Sequence, residues 1–404
     1  MICRGRRIQR TPCFPRWLRE HKLRPLGALV PSTCPLNSSL GRGFPLHFIE
    51  STLNKHLQMS FYSLELCAGG GGQALGLEMA GFHHVGVLEY EPQFCTTLRL
   101  NRPSWNVLQQ DIRSFRATDF GDVDIIAGGV PCPPFSIAGK QLGANDDRDM
   151  FPAALDIISK IKPRAVMLEN VQGFASAKFA EYRGKIMARL AKMGYDPEWQ
   201  VIQASDHGVP QLRPRCIIVA LRSEDRKYFS WPKASPTVPA VGETLVDLMG
   251  ANGWLGAEAW ADKAMAIAPT IVGGSKRHGG PDLGPTRAKK QWRELGVDGM
   301  GIADEAPDVH FPDQKMPRLT VRMVARIQGF PDLWQFSGKK TAAYRQVGNA
   351  FPPPVAKAVG RAIISAFKRK TPAELLESQD QLQLLEKSRA RYTTKAKKKS
   401  HQKS

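Results

Sequence analysis

Long apolar runs are missing from this chain of 404 residues; nowhere do about 18 consecutive apolar positions occur, the length that a membrane-spanning helix requires. A spanning helix is therefore not expected. No Cys-x-x-Cys pair occurs and the seven cysteines fall at irregular intervals, so neither a zinc ribbon nor a disulfide scaffold is indicated. A reducing cytoplasm and no bound metal follow as expectations. The 30 prolines and 36 glycines show no period, which argues against collagen-like and solenoid repeats. Acidic residues are scarce. Against 37 Asp and Glu stand 57 Lys and Arg, a formal charge of +20 that suits a polyanionic partner.

That surplus is concentrated at the two ends. Residues 1–58 carry ten Lys and Arg against two acids, and residues 361–404 carry twelve against four. The first 58 residues show no helical or alternating pattern. They hold three of the seven cysteines and are Arg-rich, but lack the compact apolar core of a signal peptide. A disordered basic extension is expected there, with the working protein beginning at Met59. From residue 59 to 221, β-rich runs alternate with helical ones: FYSLEL then QALGLEMA, HVGVLE then PQFCTTLRLN, DVDIIAGG then FPAALDIISKI, AVMLEN then YRGKIMARLAKM. This rhythm predicts an α/β doubly wound domain with a parallel sheet covered on both faces. The strand CIIVAL at 216–221 closes it. Residues 222–316, rich in Trp, Gly and Pro, read as a smaller irregular domain, and the helical patterns of 317–370 as a return segment completing the first. Thr371-Pro372-Ala373-Glu374 opens the tail 371–404 with a capping box, after which the sequence fades into a Lys run.

A glycine turn follows the first strand. Gly69 to Gly72 stand between FYSLEL and a helix, where backbone without side chains lets a ligand approach the helix N-terminus. Glu89 ends the next strand 17 residues after Gly72, placed to accept from ribose hydroxyls, and Asp111 ends a third run, placed to accept from an adenine amine. Three such strand ends in series point to an adenosine-bearing cofactor. No Gly-Lys-Ser/Thr follows and the turn has no basic residue to hold phosphate, which argues against an NTPase. A nicotinamide dinucleotide and S-adenosyl-L-methionine stay open, the second carrying adenosine but no phosphate.

The segment Gly128-Gly129-Val130-Pro131-Cys132-Pro133-Pro134-Phe135-Ser136 follows DVDIIA and so belongs at the carboxyl edge of the sheet, where open α/β sheets bind substrates. Prolines on both sides stiffen the loop around Cys132. Glu169 ends the strand AVMLEN at the same edge, and Arg213 and Arg215, two residues apart in QLRPR, share one side of an extended segment. Cys67, Cys95 and Cys216 read as small buried hydrophobes.

With these residues in place, the chain resembles the DNA cytosine-5 methyltransferases of bacterial restriction–modification systems. The motifs that carry the likeness are LELCAGGGG, LEYEP, DI at 111–112, GGVPCPPFS, DDRDMF, LENV, QLRPR, PRLTVRMVARIQGFPD and YRQVGNAFPPPVAKAVG, in that order over nearly all of the chain except the tails. The resemblance implies a Rossmann-like S-adenosyl-L-methionine-dependent domain with a target-recognition domain at 222–316. It further implies that Cys132 adds to C6 of a flipped cytosine, that Glu169 bonds the base N3 and amine, that Arg215 reaches O2, and that Arg213 positions the loop or backbone. Cys67, Gly69, Gly71, Glu89, Tyr90, Asp111 and Asn349 would hold the cofactor. Pro131, Ser136, Arg148 and Gln211 would face DNA, and Lys276 and Arg277 would read it in the recognition domain. The loop from Ser136 to Arg148, with Gly139 and Gly143, has the composition of a segment that closes over the base. Two positions depart from the family pattern: Cys67 stands at a common aromatic, and Pro133 at a frequent Gln. A monomer acting on double-stranded DNA at the bacterial nucleoid, with a cognate restriction endonuclease cutting the same site, completes the expectation. The tRNA-directed cytosine-5 methyltransferases share these motifs and are the alternative; their Cys-Phe-Thr tripeptide does not occur here.

Overall fold

The computed structural model describes residues 60–131, 149–274 and 280–370. Among these residues the chain forms one seven-stranded sheet in the order β3-β2-β1-β4-β5-β7-β6. The strands are β1 (Phe61–Leu66), β2 (Phe82–Glu89), β3 (Val107–Gln109), β4 (Ile125–Gly128), β5 (Ala165–Val171), β6 (Tyr195–Gln203) and β7 (Pro214–Arg222). Helices α1 (Gly72–Ala80), α2 (Pro92–Asn101), α3 (Phe151–Ile161) and α4 (Ala180–Lys192) follow β1, β2, β4 and β5. The chain order therefore reverses at β1, whose neighbours are β2 on one side and β4 on the other. That reversal opens a crevice at the carboxyl ends of β1 and β4, the place where doubly wound sheets take their ligands.

The central strands are apolar on both faces, as expected of parallel strands covered twice. On one face Leu64, Leu66, Ile126, Val166 and Leu168 pack with Phe151, Leu155 and Ile158 of α3 and with Ile186 and Leu190 of α4. On the other, Ile125, Ala127, Met167, Ile217 and Val219 pack with Val355, Val359 and Ile363 of a late helix, Pro353–Phe367. Burying one leucine or isoleucine side chain in such a layer is worth about 1.5–3 kcal/mol. A third apolar cluster holds residues from 241 to 302, including Trp260 and Trp292, together with Leu319 to Ala350 and with Leu75 and Leu98 of α1 and α2. The apolar packing thus runs across residue 316.

The sheet is mixed, which the alternating rhythm did not foretell. Strand β7 is antiparallel to both β5 and β6. The cause is the short link from Gln203 to Pro214, since a parallel return needs a crossover of a dozen or more residues. This reversal sets the site, because it pairs Glu169 with Ile217 and Val171 with Arg215. Side chains alternate along a strand, so Glu169 and Arg215 come to lie diagonally on one face. No helix among the described residues is long and apolar enough to cross a membrane.

One partly buried histidine ties β1, β2 and α1 together, in surroundings that favour its neutral ring. His84 Nε2 donates to the Ala74 carbonyl at 2.9 Å, its Nδ1 accepts from the Ser63 hydroxyl at 2.8 Å, and its ring meets Trp105 edge-on. Burial pushes its pKa from 6.5 down to about 4. Since the folded value lies below the unfolded one, this contribution is intact above pH 6.5 and is lost as pH falls toward 4. Urea unfolding at pH 4 should show about 3 kcal/mol less stability from this group than at pH 7, at about 1.4 kcal/mol per unit. A His84→Gln variant should lack that component.

Candidate active site

The turn after β1 is built for close approach. Cys67 and Gly69 take positive φ of 54° and 57°, and above Gly69 no heavy atom of the described residues lies within 4 Å of where a Cβ would sit. Gly72 is required for a different reason, because a Cβ there would lie 2.1 Å from the Phe351 carbonyl oxygen. The resulting hollow, about 70 Å³, is lined by Glu65, Cys67, Gly69, Gln73, Glu169 and Asn349. Glu89 borders it: the Gly69 amide donates to Oε2 and the Glu91 amide to Oε1, both at 2.7 Å. Burial raises the Glu89 pKa against the pull of those amides. Tyr90 is 66% exposed at the end of the same strand, a ring face open to a ligand. Asp111 caps the turn after β3 and is held below the usual carboxylate range by the Arg113 guanidinium, 2.5 Å away. Its carboxylate is thus already engaged by a cation.

Two residues of this hollow escaped the reading of the sequence. Glu65 is fully buried on β1, and among the described residues neither carboxylate oxygen has a hydrogen-bond partner; nor has the Oε1 of Gln73, also buried. Burial, and then the charge of Glu169, push the Glu65 pKa well up. A glutamate inside an otherwise apolar interior strand was the available signal, since Glu is rarely fully buried without a partner. Among the described residues these acceptors in one wall lack a donor, which a bound ligand could supply.

Beside this hollow lies a larger pocket of about 780 Å³, walled by Pro131, Glu169, Arg215, Val272 and Asn349 among others. Arg215 Nε meets Glu169 Oε1 at 2.8 Å, with side chains 10% and 12% exposed. Burial raises the Glu169 pKa despite the opposing charges of Arg215 and Arg213. Asn170, next in the strand, donates to the Val130 carbonyl at 2.9 Å and so fixes the segment leading into Pro131. Across the gap, the Met150 amide donates to the Pro131 carbonyl at 3.1 Å. Cys132, Ser136, Arg148, Lys276 and Arg277 lie outside the described residues.

Arg213 and Gln211 are both tied into the protein's own backbone, Arg213 also lining the larger pocket. Arg213 is wholly buried, and its guanidinium donates to the carbonyls of Ile271 at 2.6 Å, Gly348 at 2.7 Å and Ala350 at 2.9 Å. Gln211 is buried as well, accepting from the Ile271 amide and donating to Gln328, which in turn donates to Ala350. These side chains clamp three remote segments to the entrance of β7. Arg213→Ala should therefore lower unfolding free energy by about 3–5 kcal/mol, because buried carbonyls lose charged donors. Arg215→Ala should cost less stability, since Glu169 can then take up a proton, but should suppress turnover; urea unfolding and rate measurements on both variants separate the two.

Comparison with known proteins supplies relatives for this geometry. A family model described as C-5 cytosine-specific DNA methylase matches residues 61–365. The Type II methyltransferase M.NaeI of Lentzea aerocolonigenes is 55% identical over 308 residues, which is 75% of this chain and 75% of that protein. M.NgoMIV of Neisseria gonorrhoeae, also a Type II methyltransferase, is 52% identical over 316 residues, 77% of this chain and 100% of that one. Among solved structures, a mutant of Spodoptera frugiperda DNMT2 aligns with a TM-score of 0.54 at 18% identity, over 76% of this chain and 100% of that one. The methyltransferase EhMeth of Entamoeba histolytica aligns with a TM-score of 0.54 at 14% identity, over 77% and 99%. At such identities the structural likeness speaks to the fold alone.

Proposed function

The chain belongs to the C-5 cytosine-specific DNA methylases and is a DNA cytosine-5 methyltransferase, and from that premise we propose that it methylates one cytosine of a specific duplex sequence, taking the methyl group from S-adenosyl-L-methionine, by base flipping and a covalent adduct to Cys132. The observation that carries the reading is the Glu169–Arg215 pair, facing the same pocket as Pro131, the residue that precedes Cys132 in the chain. A carboxyl with a raised pKa beside a guanidinium matches a cytosine edge, which offers N3 and the exocyclic amine to the first and O2 to the second.

The polar groups around the 70 Å³ hollow suit the methionine end of the cofactor, with Glu89 and Tyr90 beside it for the adenosine. Unpartnered oxygens of Glu65 and Gln73 suit the α-ammonium of its methionine part, Glu89 keeps acceptor capacity for ribose hydroxyls, and exposed Tyr90 can stack on adenine. Asn349 would meet the methionine carboxylate. Bound there, S-adenosyl-L-methionine supplies an electrophilic methyl group to C5.

Cytosine C5 is a weak nucleophile, and the work of the protein is to change that. The Cys132 thiolate adds its electron pair to C6, and the displaced ring electrons gather at C5 and N3. Glu169 holds a proton at N3 and so neutralises the charge that builds there. Arg215 holds O2 and the Glu169 carboxyl in one plane. When the C5 proton passes to solvent water, its electron pair re-forms the C5–C6 double bond, the C6–sulfur bond breaks and Cys132 leaves as thiolate, restoring the enzyme. A base stacked in a duplex must first be extruded, at a cost of a few kcal/mol. The Type II designation of both close relatives supports a protective role beside a cognate restriction endonuclease.

The test is transfer of labelled methyl from S-adenosyl-L-methionine to duplex DNA and, separately, to tRNA, with the product nucleosides resolved. Label in 5-methylcytosine of the duplex is expected. Label confined to RNA, or carried on the exocyclic nitrogen, would overturn the reading.

A further inference from the structure

The wall of the small hollow carries two carboxylates, Glu65 and Glu169, and among the described residues no lysine, arginine or histidine. Glu169 is answered from outside that wall by Arg215, 2.8 Å away. Glu65 is not. It lies on β1 between β2 and β4, in register with Val87 and Ala127, and none of its surface is exposed. Among the described residues neither of its oxygens has a hydrogen-bond partner, and neither has the Oε1 of Gln73 in the same wall. Its ionisable neighbours are themselves acids. Burial, and then the charges of Glu89, Glu65 and Asp111, push the Cys67 thiol up in the adjoining turn, and the charge of Glu169 acts on Glu65 from β5. The helix Lys340–Asn349 brings the amides of Gln346 and Asn349, and Arg213 is bound to the carbonyls of Ile271, Gly348 and Ala350.

A carboxylate without a counter-charge at that depth is costly enough that the group keeps its proton and stays neutral. An ammonium reverses the balance. It brings one positive charge and three N–H donors, and the two oxygens of Glu65 and the Oε1 of Gln73 are acceptors in need of donors. We infer that Glu65 selects the ammonium-bearing cofactor, giving up its proton to solvent as the ammonium enters. The O–H bond of the carboxyl breaks, its electron pair stays on the carboxylate, and the ammonium donates to that carboxylate. The hollow gains a positive charge and loses a proton, so its net charge is unchanged. The inference rests on the assignment of this hollow to S-adenosyl-L-methionine proposed above. Because binding releases a proton, affinity falls with falling pH, by about tenfold per unit where Glu65 is protonated beforehand and the ligand is already an ammonium.

Calorimetric titration of the full chain with S-adenosylhomocysteine, which keeps the ammonium, counts the protons when it is repeated in buffers of different ionisation enthalpy. At about pH 6.5 the ligand's amine, with an ordinary pKa near 8, is already charged. Wild type should release about one proton per ligand bound, and an analogue with a hydroxyl in place of the ammonium about none. That analogue should also bind roughly 10- to 150-fold more weakly, the share of a charge-assisted hydrogen bond. Glu65→Gln has the same shape but no proton to give; it should release none and lose the pH dependence of affinity. S-adenosylhomocysteine bound by wild type without proton release overturns the inference and leaves the cofactor reading standing. Release that persists in Glu65→Gln overturns it as well, because the proton then comes from another group. Should Glu65→Gln not fold, Glu169→Gln serves instead: it retains the source and should release the proton as wild type does, and loss of the release there overturns the inference. Failure of wild type to bind S-adenosylhomocysteine or S-adenosyl-L-methionine would overturn the assignment of the hollow, and the inference with it.

Discussion

Cys132→Ser is expected to abolish methyl transfer and, with it, the covalent complex that the wild-type enzyme forms on duplex DNA containing 5-fluorocytosine. The fluorine at C5 cannot depart as a proton does, so the adduct between Cys132 and C6 has no route to elimination and accumulates once C5 is methylated. It should appear as a protein–DNA band surviving denaturation, dependent on S-adenosyl-L-methionine. A serine hydroxyl is almost wholly protonated at neutral pH, whereas a cysteine with its pKa near 8.5 already has a few per cent of thiolate and a far more nucleophilic atom. The expected loss in turnover is roughly 10⁴- to 10⁶-fold, the order found where the attacking group of a covalent mechanism is removed. A trapped band of normal intensity in Cys132→Ser would show that another atom attacks C6, and the assignment of the nucleophile would fall.

What could be read in the chain before its structure was known follows from what periodicity encodes. The runs from FYSLEL to AVMLEN alternate with helices strongly enough to give β1, β2, β4 and β5 and the helices between them. The carboxyl ends of those strands, with Gly69, Glu89, Pro131 and Glu169, could be placed at one sheet edge for the same reason. Strand direction is another matter. The run YDPEWQVIQ forms β6 at the sheet edge with few buried positions, and its weak pattern hides both it and the reversal of β7. Glu65 was hidden because an acid inside a strand reads as its solvated face, whereas both faces of β1 are covered. The clamp of Arg213 was out of reach for a plainer reason. Its partners lie 58, 135 and 137 residues further along the chain, and no local pattern carries that information.

Glu169→Gln is the variant that asks most of the geometry. The amide keeps the size of the carboxyl and can still donate to N3, but it cannot give up and regain a proton as the ring gains and loses electron density. Turnover should fall by about 10²- to 10⁴-fold, the range that a positioned acid–base group contributes. The pH dependence sharpens the test. Burial raises the Glu169 pKa while Arg215 and Arg213 oppose it, so the acid form persists to higher pH than in an ordinary glutamate. Activity that needs this acid form falls as pH rises through the raised value, and the falling limb should vanish in Glu169→Gln. Glu65 is the group to be distinguished from it, since burial and the neighbouring Glu169 raise its pKa as well. If the limb belongs to Glu65, it persists in Glu169→Gln and disappears in Glu65→Gln, and the proton at N3 then has another keeper. A turnover within tenfold of wild type in Glu169→Gln would mean that Arg215 alone supports the electron-rich ring, and that its 2.8 Å partner is held for structure.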